Sequence, residues 1–297
     1  NVMFGKNLGG IEQALVDYCE ALKMEGHKVT VIISPKAKIK ASLLPLGVNI
    51  IEVKNFAAWD FLAKRYIKHV MRQLAPDAVI NHGNRAISLM SGSSVPMIGV
   101  THNYSIKRLV KLDAVLATTN DLKNTVIAAG VPENKIFILP NMVRIPENKI
   151  KIKERGDKIV IGTMGRFVKK KGFDVFIRSL AVLKERGVAF KAVIGGGGEE
   201  EENLKNLAKE LGILDPSSGD NGSIEFIGWV KDKSKFFEDI DIFCLPSLHE
   251  PFGIILLEAF AYKKSVVVSD SEGPLEIVSD NEDALLVPKG NAQAMAD

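Results

Sequence analysis

The sequence predicts an α/β protein of two doubly wound domains, each built on a mainly parallel sheet. Three observations predict it. Short apolar runs alternate with longer segments of helical spacing along the chain. The alternation halts at a polar stretch, residues 144–158, rich in Lys, Glu, Pro and Asn, and then begins again. A length of 297 residues with 46% hydrophobic content is enough to give each half its own core.

In chain order, the first half is expected to carry strands at 29–34, 78–81, 97–101, 114–118 and 136–139, with helices such as 11–24 between them. The second half reads as strand 159–163, helix 173–186, strand 190–194, helix 203–211, strands 224–227 and 240–245, helix 252–262, and strands 265–269 and 285–287. We place the domain boundary in the polar stretch, giving 1–149 and 150–297. Parallel strands with crossover helices bind ligands at their carboxyl ends. The cysteines, Cys19 in a helical pattern and Cys244 in an apolar strand, read as buried free thiols.

The net charge of +3 hides an asymmetry. Residues 1–149 hold 19 Lys and Arg against 11 Asp and Glu, a net of +8, which leaves −5 for the remainder. A basic first half suits phosphate-bearing acceptors or an anionic membrane surface. Its cations are not interleaved with stacking aromatics in any nucleic-acid-binding signature, so nucleic acid is not an expected partner. One segment does place rings and cations together: Trp59, Phe61, Arg65, Tyr66, Lys68, His69 and Arg72 can share a helix that rests on a membrane. No apolar run reaches the roughly 18–20 residues of a membrane span, and no leader precedes Gly9, so the reading is a cytoplasmic protein, peripheral at most.

The most informative stretch runs from Leu245 to Ala259. It sets Glu250 and Glu258 eight positions apart around a strand-to-helix turn, and the free N–H groups of the helix start form an anion site. Glu258 lies among Ile254, Ile255, Leu256, Leu257, Ala259 and Phe260, with almost no polar stripe at helical spacing. An ionised side chain there costs several kcal/mol unless it is hydrogen-bonded, and a ligand hydroxyl pair would satisfy it. A Glu on the solvent face of an amphipathic helix would need polar neighbours that this helix lacks.

Arg166 and Lys171 follow the expected strand 159–163 and flank a loop leading to a helix. Arg gives a planar fork of donors and Lys a movable point charge, which together suit a diphosphate. The glycines 195–198 follow another strand, but Glu199, Glu200, Glu201 and Glu202 come next and repel a diphosphate, so Gly196 reads as close backbone passage beside a ligand. This run does not fit the dinucleotide fingerprint, which disfavours a nicotinamide enzyme. His102 closes the strand at 97–101 and His82 the one before it; both are candidates, His102 the first. Asp239 and Asp241 imitate a metal-binding pair, but no further acid or His at ligand spacing supports them, so no metal is expected. No serine nucleophile elbow occurs.

With its Glu, seven residues, Glu spacing, the chain resembles the retaining glycosyltransferases of the GT-B fold (group 1, family 4-like). The resemblance extends to Gly165-Arg166-Phe167-Val168-Lys169-Lys170-Lys171-Gly172-Phe173-Asp174, to Leu8-Gly9-Gly10-Ile11-Glu12 and to Val100-Thr101-His102-Asn103, in family order along nearly the whole chain. It implies two Rossmann-like domains facing a cleft, the first holding an acceptor and the second a nucleotide-diphosphate sugar. Under it, Arg166, Lys171 and the helix start near Gly253 stabilise the departing diphosphate. Glu258 binds the ribose, while Glu250 with Phe252, Gly253, Ile254 and Ile255 holds the sugar. His102 orients the sugar, Gly9 and Gly10 approach the phosphates, and the loop around Val230 contacts the base. The donor is a substrate and no resident cofactor is implied. The acceptor would be a glycan or lipid-linked glycan. Under the resemblance both ends read as clipped: little precedes Gly9, so the first strand is expected to be short, and the family's closing helices are expected to be missing after Asn291 to Asp297.

Two other readings share the architecture, because fold alone does not fix function. One is a sugar-nucleotide epimerase or a phosphorylase, although no lysine site for pyridoxal phosphate is evident. The other is a sugar-nucleotide-binding subunit without turnover, which the joint presence of His102, Arg166, Lys171, Glu250 and Glu258 argues against.

Overall fold

A computed structural model describes residues 1–7, 9–146, 158–214 and 222–297. They fall into two compact units, Asn1–Met142 and Val143–Asp297. Most of the polar join expected at 144–158 lies outside the described residues, as does Leu8.

The first unit runs α1 (Gly10–Met24), β1 (Thr30–Ile33), α2 (Lys40–Leu43), β2 (Asn49–Glu52), α3 (Phe61–Leu74), β3 (Val79–His82), α4 (Asn84–Met90), β4 (Met97–Thr101), β5 (Ala114–Ala117), α5 (Asn120–Ala128) and β6 (Ile136–Ile138). β1 pairs with β2, and β3, β4, β5 and β6 pair in sequence, all parallel. Val2 joins the two groups by parallel bridges to Ile32 on β1 and Asn81 on β3. The chain start therefore acts as a very short central strand, and the order reverses beside it, between Val2 and β3. Alternate strand residues face opposite sides, so Val31 and Ile33 pack with Leu15, Val16 and Cys19 of α1. Ile32 and Val2 pack with Ile67 and Val70 of α3 on the other side.

The second unit runs β7 (Ile159–Arg166), α6 (Phe173–Glu185), β8 (Phe190–Gly197), α7 (Glu201–Glu210), β9 (Gly222–Gly228), α8 (Lys233–Asp239), β10 (Ile242–Leu245), α9 (Ile254–Ala261), β11 (Ser265–Ser269), β12 (Leu285–Val287) and α10 (Ala292–Ala296). Its six parallel strands are ordered β12-β11-β10-β7-β8-β9. This is the Rossmann-like doubly wound order, with its switch point between β7 and β10. Residues beyond the carboxyl ends of those two strands are therefore placed for ligand binding.

Several elements differ from the sequence expectation for identifiable reasons. β7 continues past 163 to Arg166, and β8 continues to Gly197, because Met164, Gly165 and Arg166 pair with Gly195, Gly196 and Gly197. The glycines are thus a strand end and not a loop. Gly196, at φ +139°, carries no side chain because a Cβ would overlap the Gly165 carbonyl. The apolar helix begins at Ile254 and not 252, since Gly253 is left-handed at φ +96° and cannot continue it backward. β2 was not expected: only Ile50 and Ile51 are apolar in it, and it is held by pairing with β1.

Candidate active site

Two loops meet at the switch point of the second unit. After Arg166 the chain makes a single tight turn over Lys169–Lys171, closed by Gly172 at φ +63°. A side chain at Gly172 would overlap the Pro246 carbonyl, so glycine here lets this loop lie against the one that follows β10. The backbone then fastens them: Leu248 N and His249 N both donate to the Lys170 carbonyl, at 2.9 and 3.1 Å.

That stitching sets the Lys171 ammonium on Glu250, where Nζ donates to Oε2. Glu250 is buried, at 7% exposure. Ser247 Oγ also donates to Oε2, at 3.3 Å. The Glu250 backbone is held too, its N–H donating to Glu272 Oε2 at 3.2 Å and its carbonyl accepting from Gly273 N at 2.7 Å. Glu272 in turn contacts His249 Nδ1 at 3.0 Å and Lys289 Nζ at 3.5 Å. Gly273 packs on the backbone of Phe252, so the loop carrying Glu250, Phe252 and Gly253 is fixed from both sides. A buried carboxylate that shares its charge with a partly exposed lysine makes a rigid polar corner, able to accept from hydroxyls beside a cation for phosphate.

Arg166 is exposed at the end of β7, and its side chain has no partner among the described residues. It is thus free to meet an anion. Glu258 sits on α9 with its side chain 13% exposed. Its Oε1 accepts from Lys233 Nζ at 2.5 Å, whereas Oε2 is buried without a partner. Val230 lies over Gly195 at the end of β8, beside the half-exposed Trp229. Ile254 and Ile255 are partly buried in the first turn of α9.

The remaining candidates belong to the first unit. Gly9 caps α1 with an extended backbone and Gly10 is its first residue, so the free N–H groups of that helix begin at the Gly-Gly pair. His82 and His102, at the ends of β3 and β4, are in direct contact: His82 Nδ1 lies 3.0 Å from His102 Nε2, with rings stacked at 5.2 Å. His82 Nε2 faces Asn1 Oδ1 at 3.1 Å. With both rings neutral, His82 donates to Asn1 and accepts from His102, which leaves His102 Nδ1 as an acceptor. Burial, and then the neighbouring His102, hold His82 well below the ordinary histidine pKa; burial brings His102 down to about 4. His102 lines a small pocket with Ile11 of α1, Gly83, Asn84 and Ser105, so the histidine and the start of α1 converge at the carboxyl end of this sheet.

Asp241 is committed to structure, its Oδ2 accepting from Val160 N at 2.7 Å. Among the described residues no group of three or more His, Cys, Asp or Glu has metal-binding geometry. Both cysteines are buried and free. Sequence reasoning missed Glu272 and Lys233. Both reach the site from other elements, and neither sits in a pattern that marks it.

The family model for glycosyl transferases group 1 matches residues 144–297, and that for glycosyltransferase family 4 matches 8–145. The chain belongs to the group 1 glycosyltransferases. Together the two matches span the same two units that the fold separates. Among curated relatives, the lipopolysaccharide core biosynthesis glycosyltransferase LpsE of Rhizobium meliloti is 29% identical, over 99% of this chain and 85% of its own. Among solved structures, Anabaena HepE in complex with UDP-glucose superposes with a TM-score of 0.81 at 18% identity, covering 99% of this chain and 86% of that one. A glycosyltransferase from Rickettsia africae gives 0.80 at 19%, covering 99% and 85%. At such identities these structures establish the GT-B fold, which this glycosyltransferase shares.

Proposed function

We propose that this glycosyltransferase moves a sugar from a nucleotide-diphosphate donor to an acceptor hydroxyl with retention of anomeric configuration and without a metal ion, in cell-surface glycan or glycolipid synthesis. The observation that carries this is the pair of Lys171 with the buried Glu250, at the switch point of a doubly wound sheet and beside Arg166, which has no side-chain partner among the described residues. Glu250 and the start of α9 hold the sugar, Arg166 and Lys171 meet the diphosphate, and Glu258 takes the ribose. Charge placed in advance where it develops lowers the barrier to diphosphate departure.

In the retaining step the bond from the sugar's anomeric carbon to the diphosphate breaks, and the acceptor oxygen attacks from the same face. The acceptor proton passes to the departing phosphate oxygen, so no protein base is needed. His102, neutral across the physiological range, offers Nδ1 as an acceptor that orients a sugar hydroxyl. Cations at Arg166 and Lys171 supply the positive charge that other enzymes draw from a metal, and Asp241 is already bound to backbone.

LpsE, named for lipopolysaccharide core synthesis, and HepE, seen with UDP-glucose, support the class of donor and acceptor. A lipid-linked acceptor also fits α3. Phe56, Trp59, Phe61 and Leu62, at and before its start, are each two-thirds or more exposed, and Arg65, Lys68, His69 and Arg72 are exposed along it. Residues 61–74 contain no acid. We assign this face to the surface of an anionic bilayer, on the cytoplasmic side; no helix among the described residues is long and apolar enough to cross one.

The test is nucleoside diphosphate release from a panel of nucleotide sugars, with and without glycan and lipid-linked acceptors. Acceptor-dependent release from one donor class is expected. Conversion of the donor to another sugar nucleotide, or tight binding with no turnover under any acceptor, would replace this reading with an epimerase or a binding subunit.

A further inference from the structure

Lys233 has no part in the reading above, yet among the described residues it makes the one polar contact to the Glu258 carboxylate. It is the first residue of α8, a helix fixed at its start by Asp232, whose Oδ1 accepts from Lys235 N at 3.0 Å. The next residue, Ser234, meets Tyr262 just past α9 through hydroxyls 2.6 Å apart. The first turn of α8 is thus fastened against α9, and the Lys233 ammonium arrives 2.5 Å from Glu258 Oε1.

The consequence for Glu258 is specific. A carboxylate only 13% exposed among Ile and Leu is costly unless its charge is met, and Lys233 meets it at one oxygen only. Lysine is a point charge and not a fork, so it does not span both oxygens as an arginine would. Oε2 remains buried and unpartnered. An orphaned acceptor of this kind is unusual in a folded protein and marks the place of a missing donor.

We infer that Lys233 is a positioning residue for nucleoside recognition: by binding Glu258 Oε1 it keeps the carboxylate turned so that Oε2 accepts a ribose hydroxyl. The inference rests on the assignment of Glu258 to the ribose and adds to it a second residue, from a different helix. Without Lys233 the carboxylate is free to rotate toward water, and that change removes the directed acceptor.

Calorimetric binding of UDP and GDP, each beside its 2′-deoxy analogue, tests this. Wild type is expected to favour the better ribonucleotide over its deoxy form by about tenfold or more, as for one hydrogen bond to a charged group. Glu258→Gln should lose most of that ratio, and Lys233→Met should bring it to within about threefold of unity, with Lys233→Arg, whose fork can take both oxygens, failing to restore it. Ser234→Ala loosens the same helix contact without touching Glu258 and should lower the ratio far less than Lys233→Met does. If Lys233→Met does not fold, Lys233→Gln, which is one atom shorter and uncharged, is read the same way. A ratio lost in Glu258→Gln but retained in Lys233→Met overturns the role of Lys233 alone. Equal losses in Lys233→Met and Ser234→Ala reduce it to helix packing, which also overturns it. A wild type indifferent to the ribose hydroxyl overturns the ribose assignment together with the inference.

Discussion

Arg166 and Lys171 carry the same formal charge toward the same proposed diphosphate, but their surroundings give them different fates on mutation. Arg166 is exposed and unpaired, so Arg166→Ala should leave the melting temperature nearly unchanged while lowering kcat. Lys171 neutralises a buried carboxylate, and removing one partner of such a pair costs about 3–5 kcal/mol, toward the lower end here because the lysine is partly exposed. Lys171→Ala should therefore lose both activity and stability, and Lys171→Ala combined with Glu250→Gln should regain stability but not activity. Thermal melting beside steady-state kinetics reads both. The Glu, seven residues, Glu spacing and the basic loop were legible in the sequence because each lies within a short window. Lys233 was not, since its contact with Glu258 spans 25 positions and exists only once α8 is docked on α9.

Elements were legible in proportion to how far their own residues determine them. The strand at Met97–Thr101 was read to the residue from its apolar run. β2 and the bridge at Val2 depend on partners elsewhere in the chain, and a four-residue strand with two apolar positions gives no periodic signal. The contact between the loops after β7 and β10 is likewise set by one glycine. Gly172→Ala forces a left-handed alanine and a clash with the Pro246 carbonyl, whereas Gly47, at a similar φ of +62°, has open space around it. Gly47→Ala should cost about 1–2 kcal/mol from backbone strain alone. Gly172→Ala should cost clearly more and reduce turnover as well, and denaturant unfolding of the two variants gives the comparison. For α3 the expected outcome is sedimentation with anionic vesicles, weaker with neutral ones and falling with salt, because each surface cation contributes about 1 kcal/mol near anionic lipid. Equal recovery in the supernatant from both would remove the membrane assignment.

At the scale of the whole molecule, two Rossmann-like units were foreseen from an alternation that stops and restarts, and the composition allowed each its own core. What composition left hidden was the histidine pair, two residues 20 apart that become stacked neighbours only when β3 and β4 pair. The folded pKa of His102, about 4, lies below the ordinary 6.5, so below pH 6.5 the unfolded chain binds protons that the native one refuses. Stability is then fully present above pH 6.5 and falls as the pH drops toward 4, by up to about 3 kcal/mol from His102 alone. Urea unfolding across that window should show the slope, and His102→Gln should reduce it, leaving the part that the buried His82 contributes. Catalysis should show no break near pH 6.5 from this pair. The central claim, retaining transfer without a metal from a nucleotide sugar, is tested most directly by proton NMR of the reaction in excess chelator. The anomeric signal of the product should appear at an undiminished rate with the configuration of the donor; an inverted product, or a rate that collapses until manganese or magnesium is returned, would contradict the account.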